Sequence, residues 1–268
     1  DFAARARAAM AAWLEGAVPA EVVAEICARA FDFPVPLARL DARTHLLELF
    51  HGPTAAFKDF GARFMAQAMA RLREPGQRLT VVGATSGDTG SAGAHACAGV
   101  DATRVVLLYP GGKVSPLQEL QLTAVPENVT SLRVEGTFDD CQAMVKAAFR
   151  DAALTEKLGL TSANSINIGR LLPQTTYYLH ASLEIAAGGP SADRHAAGGA
   201  PAPLFCVPSG NLGNLTAGLL ARRQGAPIGR FVAACNRNDT FPRFLAGAPL
   251  EPRPAVANLE AKTVLRTP

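Results

Sequence analysis

The sequence predicts an α/β fold in which two parallel-rich sheets are covered by helices, and three observations predict it. Apolar runs of strand length, such as LTVVGA and RVVLLY, alternate with stretches of helical periodicity along most of the 268 residues. Two glycine-rich turns, TSGDTG (85–90) and SGNLGN (209–214), each follow such a run and open a helical stretch. The composition, 49% hydrophobic against 18% charged, supplies a substantial core for one or two domains.

Taken in order, the alanine-rich segments 3–15 and 20–31 carry helical spacing, with Pro19 at a helix start and Pro34 and Pro36 closing the helical region. Residues 46–50 read as a strand. The segment 58–72, KDFGARFMAQAMARL, puts Phe60, Phe64, Met65 and Met69 on one helical face. The strand LTVVGA, the turn TSGDTG, the helix SAGAHACAGV and a strand at 104–109 make a βαβ unit. Further strands are expected at 131–136, 203–210 and 229–235, and helices at 139–151, 169–186 and 214–223. The Gly-, Pro- and Ala-rich stretch 187–203 has no periodicity and reads as a loop or disordered excursion.

Composition narrows the function. Twenty-six basic against 23 acidic residues give a net charge of +3, far short of the clustered positive field of a nucleic-acid surface. Five scattered cysteines without a CxxC pair predict neither a metal site nor a disulfide framework, and suit a reducing cytoplasmic setting. Cys206 and Cys235 lie in apolar strand runs, where buried thiols are common. Arg5, Arg7 and Glu15 among the first alanines suit an amphipathic helix rather than a secretory segment, and no apolar run is long enough to span a bilayer.

Three elements carry chemistry. At each strand–glycine–helix junction, free backbone N–H groups and the positive helix end converge, so TSGDTG and SGNLGN are both candidate cradles for a carboxylate or phosphate. For one such loop alone, a simple turn is an equal reading. Neither fits the dinucleotide GxGxxG or the P-loop pattern, which weakens nucleotide readings. The third element is HGPTAAFKDFG (51–61), where Lys58 opens a helix among Phe57, Phe60 and Pro53. Apolar surroundings disfavour a charged amine and make it a usable nucleophile and base. A solvated lysine kept charged by Asp59 is the plainer alternative.

The strings HGPTAAFKDFG, ATSGDTG, LYPGGKVSPLQ, SANSINIGRLLPQ, VPSGNLGNLTAG and NRNDTFPRFL, in this order, resemble the threonine synthases of the shorter bacterial and fungal type. The resemblance runs from about residue 5 to 247. It implies a pyridoxal 5'-phosphate enzyme of the tryptophan synthase β-subunit fold, with residues 1–50 and 173–268 in a large domain and 51–172 in a smaller sheet domain. The reaction it implies converts O-phospho-L-homoserine and water to L-threonine and phosphate, the last step of threonine biosynthesis.

The resemblance also implies site residues. Lys58 stands where the family has its Schiff-base lysine. Ser209, Gly210, Asn211, Leu212, Gly213 and Asn214 match the cup for the cofactor phosphate, chiefly through backbone N–H groups. Thr85, Ser86 and Thr89 match the loop that grips the substrate carboxylate, and Asp88 stands where relatives often carry Asn facing the pyridine hydroxyl. Asn164, Ser165, Asn167 and Arg170 match the run that binds the substrate phosphate, for which the planar fork of Arg is suited. Without the resemblance, the same run reads as a polar turn capping a helix. Lys113 is a second phosphate or gating contact.

After Gly247 the pattern breaks. The family continues with a Leu-Ser-Asn-Ala-Met-Asp run, whereas this chain passes through PLEPRPAVA directly to NLEAKTVLRTP. Skipped residues near 252–258 are the expectation, and the residue facing the pyridine nitrogen has no assignment. Two rivals stand beside this reading. One is another lyase of the same fold, such as a threonine dehydratase, which has no need of the Asn164–Arg170 cluster. The other is a non-catalytic anion-binding homologue, against which an intact Lys58 argues.

Overall fold

The structure is a computed structural model, and it describes residues 1–85, 87–164, 167–188 and 202–251. Ser86, Ser165, most of the 187–203 stretch and the expected break at 252–258 lie outside the described residues.

Two helices come first, α1 (Phe2–Trp13) and α2 (Ala20–Ala30). The Asp1 side chain caps α1 by accepting from the Ala3 N–H at 3.0 Å. A surface hairpin follows, β1 (Leu37–Arg39) antiparallel to β2 (His45–Leu47). Asp41 closes its turn, with Oδ1 accepting from the N–H groups of Arg43 and Thr44 at 2.7 and 2.8 Å. The strand expected at 46–50 ends early because β1 offers only three residues to pair with.

Helix α3 (Lys58–Leu72) has the bounds that the sequence predicts. Its apolar residues do not share one face, however. Phe60 and Phe64 pack into a cluster with Phe2, Met10, Ile26 and Phe31, whereas Ala62 and Ala66 belong to a second cluster, against which Met69 packs. Burial on two sides is the reason: a single-stripe reading does not resolve a helix that sits between two cores.

The second cluster is built on a sheet of β3 (Leu79–Ala84), β4 (Thr103–Pro110), β5 (Val129–Val134) and β6 (Leu160–Thr161), all parallel in the order β5-β4-β3-β6. The connections are α4 (Asp88–Ala96), α5 (Pro116–Thr123) and then α6 (Phe138–Arg150) with α7 (Ala152–Leu158). Val81, Val105 and Val129 line its core; burying each contributes about 1.5–3 kcal/mol. The strand order turns back at β3, so the loops after β3 and β6 stand side by side at the carboxyl edge of the sheet.

The two-residue β6 and the helices α5 and α7 were not expected. Their local signals are small but physical. Ser115 and Gln118 form a capping box on α5 with Pro116 in its first turn. Gly159 (φ 59°) leads into β6, where a Cβ would stand 2.3 Å from the Arg78 carbonyl oxygen.

The helix expected at 169–186 is broken into α8 (Ile168–Leu171), a 3-10 turn (Leu172–Gln174) and α9 (Thr175–Ala186). Pro173, without an N–H to donate, lies in the turn. Strands β7 (Leu204–Pro208) and β8 (Arg230–Ala234) pair in parallel around α10 (Gly213–Arg223), followed by α11 (Thr240–Leu245). Cys206 is exposed, and Cys235 is half-buried, contrary to expectation. Among the described residues this sheet has two strands, and Leu204 and Val232 are exposed on it with Cys206.

Candidate active site

Lys58 is the first residue of α3, half-buried, with Nζ 4.4 Å from the centre of the Phe57 ring. The neighbouring acid does different work from that expected. Asp59 is buried, and its two oxygens accept the Thr54 N–H at 2.9 Å and the Thr54 hydroxyl at 2.7 Å, tying the loop before α3 to the helix. Burial raises its pKa above the ordinary carboxylate value. Gly52 permits this closure, since a Cβ there would lie 2.5 Å from Asp59 Oδ2. His51 pairs with Glu48 at 2.7 Å and fixes the same loop.

In the turn after β3, Thr85 is buried and its hydroxyl organises the backbone: it donates to Gly87 O at 2.9 Å and accepts from the N–H groups of Gly87 and Gly90 at 3.1 and 2.9 Å. The sequence alone does not reveal the next partner, Gln118. Its Nε2 donates to Asp88 Oδ1 at 2.6 Å while Oε1 accepts from Ser115 N–H at 3.2 Å, fastening α5 to the turn. The N–H groups of Asp88 and Thr89 have no acceptor among the described residues.

The loop after β6 is held from beneath. Asn167 Oδ1 caps α8 through the Gly169 N–H at 2.9 Å, and its Nδ2 donates to Ser162 O at 3.3 Å. Arg170 was expected to reach outward to phosphate. It is instead 1% exposed, with Nη1 donating to Ala163 O at 2.8 Å, and Nε has no hydrogen-bond partner among the described residues. Burial works against its charge and lowers its pKa to about 10, while the nearby Cys97 and Asp59 favour the charge. At the same place α8 packs closely on α3: a Cβ on Gly61 would stand 2.6 Å from the Arg170 carbonyl oxygen.

The loop before α10 has the geometry of an anion cup. Leu212 adopts a left-handed conformation (φ 58°), and the N–H groups of Gly210, Asn211, Leu212, Gly213 and Asn214 have no acceptor among the described residues. Ser209 continues the β7–β8 ladder through its N–H to Ala234 O at 2.8 Å and gives its hydroxyl to Val207 O. Asn214 Oδ1 accepts from the hydroxyls of Tyr177 and Tyr178 at 2.6 and 2.8 Å. Five unsatisfied donors beside a helix start fit the phosphate of a small cofactor.

A cavity of about 210 Å³ opens at the carboxyl edge of the sheet. Thr85 and Thr89 line it from one side, Asn164 from another and Asn211 from the cup loop, so four of the expected residues meet there. Lys58, Asp88, Lys113, Asn167, Arg170 and Asn214 are not among its lining residues. Lys113 is exposed in the turn that follows β4. Part of the remaining wall, Phe138, Gln142 and Lys146 of α6, carries no signal that the sequence reading used, although their i, i+4, i+8 spacing marks one helical face. Among the described residues, no His, Cys, Asp and Glu cluster could hold a metal ion, and no helix is long and apolar enough to cross a membrane.

A parallel sheet with a lysine at a helix start, a backbone anion cup and a cavity at the strand ends has the parts of an α/β enzyme that takes a small phosphorylated ligand. The chain belongs to the family described as pyridoxal-phosphate dependent enzyme, whose profile matches residues 34–264. It is similar to threonine synthase of Haemophilus influenzae, with 47% identity over 255 residues covering 95% of this chain and 57% of the relative. Its fold is similar to that in a crystal structure of threonine synthase from Escherichia coli, at TM-score 0.85 and 45% identity, covering 97% of this chain and 58% of that one. A structure of PLP-bound threonine synthase from Brucella melitensis matches at TM-score 0.83 and 39% identity, covering 96% and 55%. The chain thus spans a little over half the length of these relatives.

Proposed function

We propose that the protein is a threonine synthase: it converts O-phospho-L-homoserine and water to L-threonine and phosphate with pyridoxal 5'-phosphate as cofactor. The observation that carries this reading is the five-donor cup at 210–214 in a chain that is 45–47% identical to threonine synthases over nearly all of its length. The same similarity favours this reaction over the dehydratase alternative. A cytoplasmic setting and a role in amino-acid biosynthesis go with it.

Lys58 is the residue that would hold the cofactor covalently, and the cup would hold its phosphate. When bound, pyridoxal phosphate supplies an electron sink for carbanions at Cα and Cβ of the substrate. Lys58 Nζ takes the Cα proton, mobilises a Cβ proton as phosphate leaves from Cγ, and returns protons after water adds at Cβ. The N–H groups of Asp88 and Thr89 orient the substrate carboxylate, with Thr85 shaping the loop and Ser86 contributing to it. Asp88, held by Gln118, would be the side chain on the ring-hydroxyl side of the cofactor. Asn164, Ser165, Asn167 and Lys113 receive the substrate phosphate, and Arg170 fixes their loop from below. The division into residues 1–50 with 173–268 and residues 51–172 belongs to the same proposal, with α3 shared between the two.

An absorption spectrum of the purified protein with added pyridoxal phosphate tests it, run beside Lys58→Ala. Wild type should show a visible band that borohydride fixes, the variant should lack it, and wild type should release phosphate from O-phospho-L-homoserine. No band in wild type would remove the catalytic reading in favour of a binding homologue.

A further inference from the structure

Tyr177 and Tyr178 are adjacent on α9, yet both hydroxyls converge on one atom, Oδ1 of Asn214, across the helix interface with α10. Both rings are buried, at 0% and 2% exposure, and burial raises both pKa values, so each phenol stays protonated and donates. Two donors occupy both lone pairs of the amide oxygen. The amide plane is thereby locked with its Nδ2 end turned away from the tyrosines. Asn214 itself lies in the first turn of α10, within the cup whose backbone N–H groups lack acceptors among the described residues.

The same rings reach the lysine helix. Phe60, two residues after Lys58, meets Tyr177 edge-on, with centroids 5.0 Å apart and an interplanar angle of 72°. Tyr178 is fixed from the other side by Phe205 of β7 and Phe231 of β8, at 5.1 and 6.0 Å. Gly218 is the close-contact position that admits this packing: a Cβ there would stand 2.6 Å from the Phe231 ring and 3.0 Å from Tyr178.

We propose that Tyr177 and Tyr178 are positioning residues that lock the Asn214 carboxamide so that its Nδ2 N–H groups join the backbone cup as donors to the cofactor phosphate. This rests on the reading of 210–214 as a phosphate cup. It adds a side-chain donor of fixed orientation to a site otherwise built from backbone. Through Phe60, it also registers that donor against the helix that begins at Lys58.

The test compares pyridoxamine 5'-phosphate with pyridoxamine by calorimetry, neither of which needs Lys58 to bind. Wild type should prefer the phosphorylated ligand. In the double variant Tyr177→Phe, Tyr178→Phe, which keeps both rings, that preference should fall about tenfold, as loss of two hydrogen bonds would give. Each single variant should fall between. Asn214→Asp, which still accepts from both phenols but has no side-chain N–H, should lose the preference with the tyrosines intact. An unchanged preference in the double variant overturns the proposal. So does an equal weakening of both ligands, which would mean a merely structural role. A wild type with no preference for the phosphorylated ligand would instead show that the cup reading itself fails, and the proposal falls with it.

Discussion

The Asp59 carboxylate and Thr54 are joined twice, by the backbone N–H at 2.9 Å and the hydroxyl at 2.7 Å, inside a loop that ends at Lys58. Asp59→Ala leaves both Thr54 groups buried without an acceptor and should destabilise the protein by about 1–3 kcal/mol, read from urea unfolding. The loop also sets where α3 starts, so the visible band with pyridoxal phosphate should weaken in this variant even though Lys58 is intact. An unshifted urea midpoint would mean that the pair does not hold the loop.

Gly87 has φ 141°, and a Cβ there would stand 2.4 Å from Nε2 of Gln118. Gly87→Ala should therefore cost about 1–3 kcal/mol from the backbone conformation alone, with a clash added. Combining it with Gln118→Ala should recover the clash but not the backbone cost. Full recovery in the double variant, by thermal denaturation, would show that the conformation is not strained.

Arg170→Ala should act first on stability, by about 2–5 kcal/mol, because the side chain is packed at 1% exposure and braces the Ala163 carbonyl. Arg170→Met, similar in volume and free of buried charge, should lie within about 1.5 kcal/mol of wild type. Unfolding curves for both decide the matter. Wild-type stability in Arg170→Ala combined with loss of substrate use would return this residue to the direct phosphate contact that its sequence context suggests.

His180 is buried against Phe2, with Nδ1 3.1 Å from Nη1 of Arg5. Burial, then the Arg5 charge, lowers its pKa below the ordinary histidine value, with Glu184 opposing. The unfolded chain therefore takes up this proton first, and stability should be lost as pH falls from about 6.5 through the lowered folded value. His180→Gln should flatten that acid limb in urea titrations between pH 7 and 5. An equal slope in both proteins would assign the loss to other groups.

Much of the site's framework was legible because its signals are local. Lys58 to Leu72 shows helical spacing from end to end, and β3, its glycine turn and α4 follow one another within 18 residues. What stayed hidden depends on distance or depth. Nothing in the run around Arg170 tells whether a guanidinium faces water or the underside of its own loop. Gln118 lies 30 residues from Asp88, and Tyr177 lies 37 from Asn214, so those bonds exist only once the chain has closed. The two-residue β6 is too short to show an alternation at all.

Helix α3 is gripped unequally by its two cores. On one side, two phenylalanines are set among aromatic rings; on the other are two fully packed alanines with the partly buried Met69, which together offer no aromatic contact. If the sheet and the helical cluster were ever to slide past one another, the weaker seam would yield first, and α3 would ride with the aromatics. Lys58 would then travel as one body with Tyr177 and the loop at 210–214, while the turn at 85–90 approached or withdrew. The amine and the anion cup would keep their spacing through such a stroke, and only the grip on the other end of a bound molecule would change.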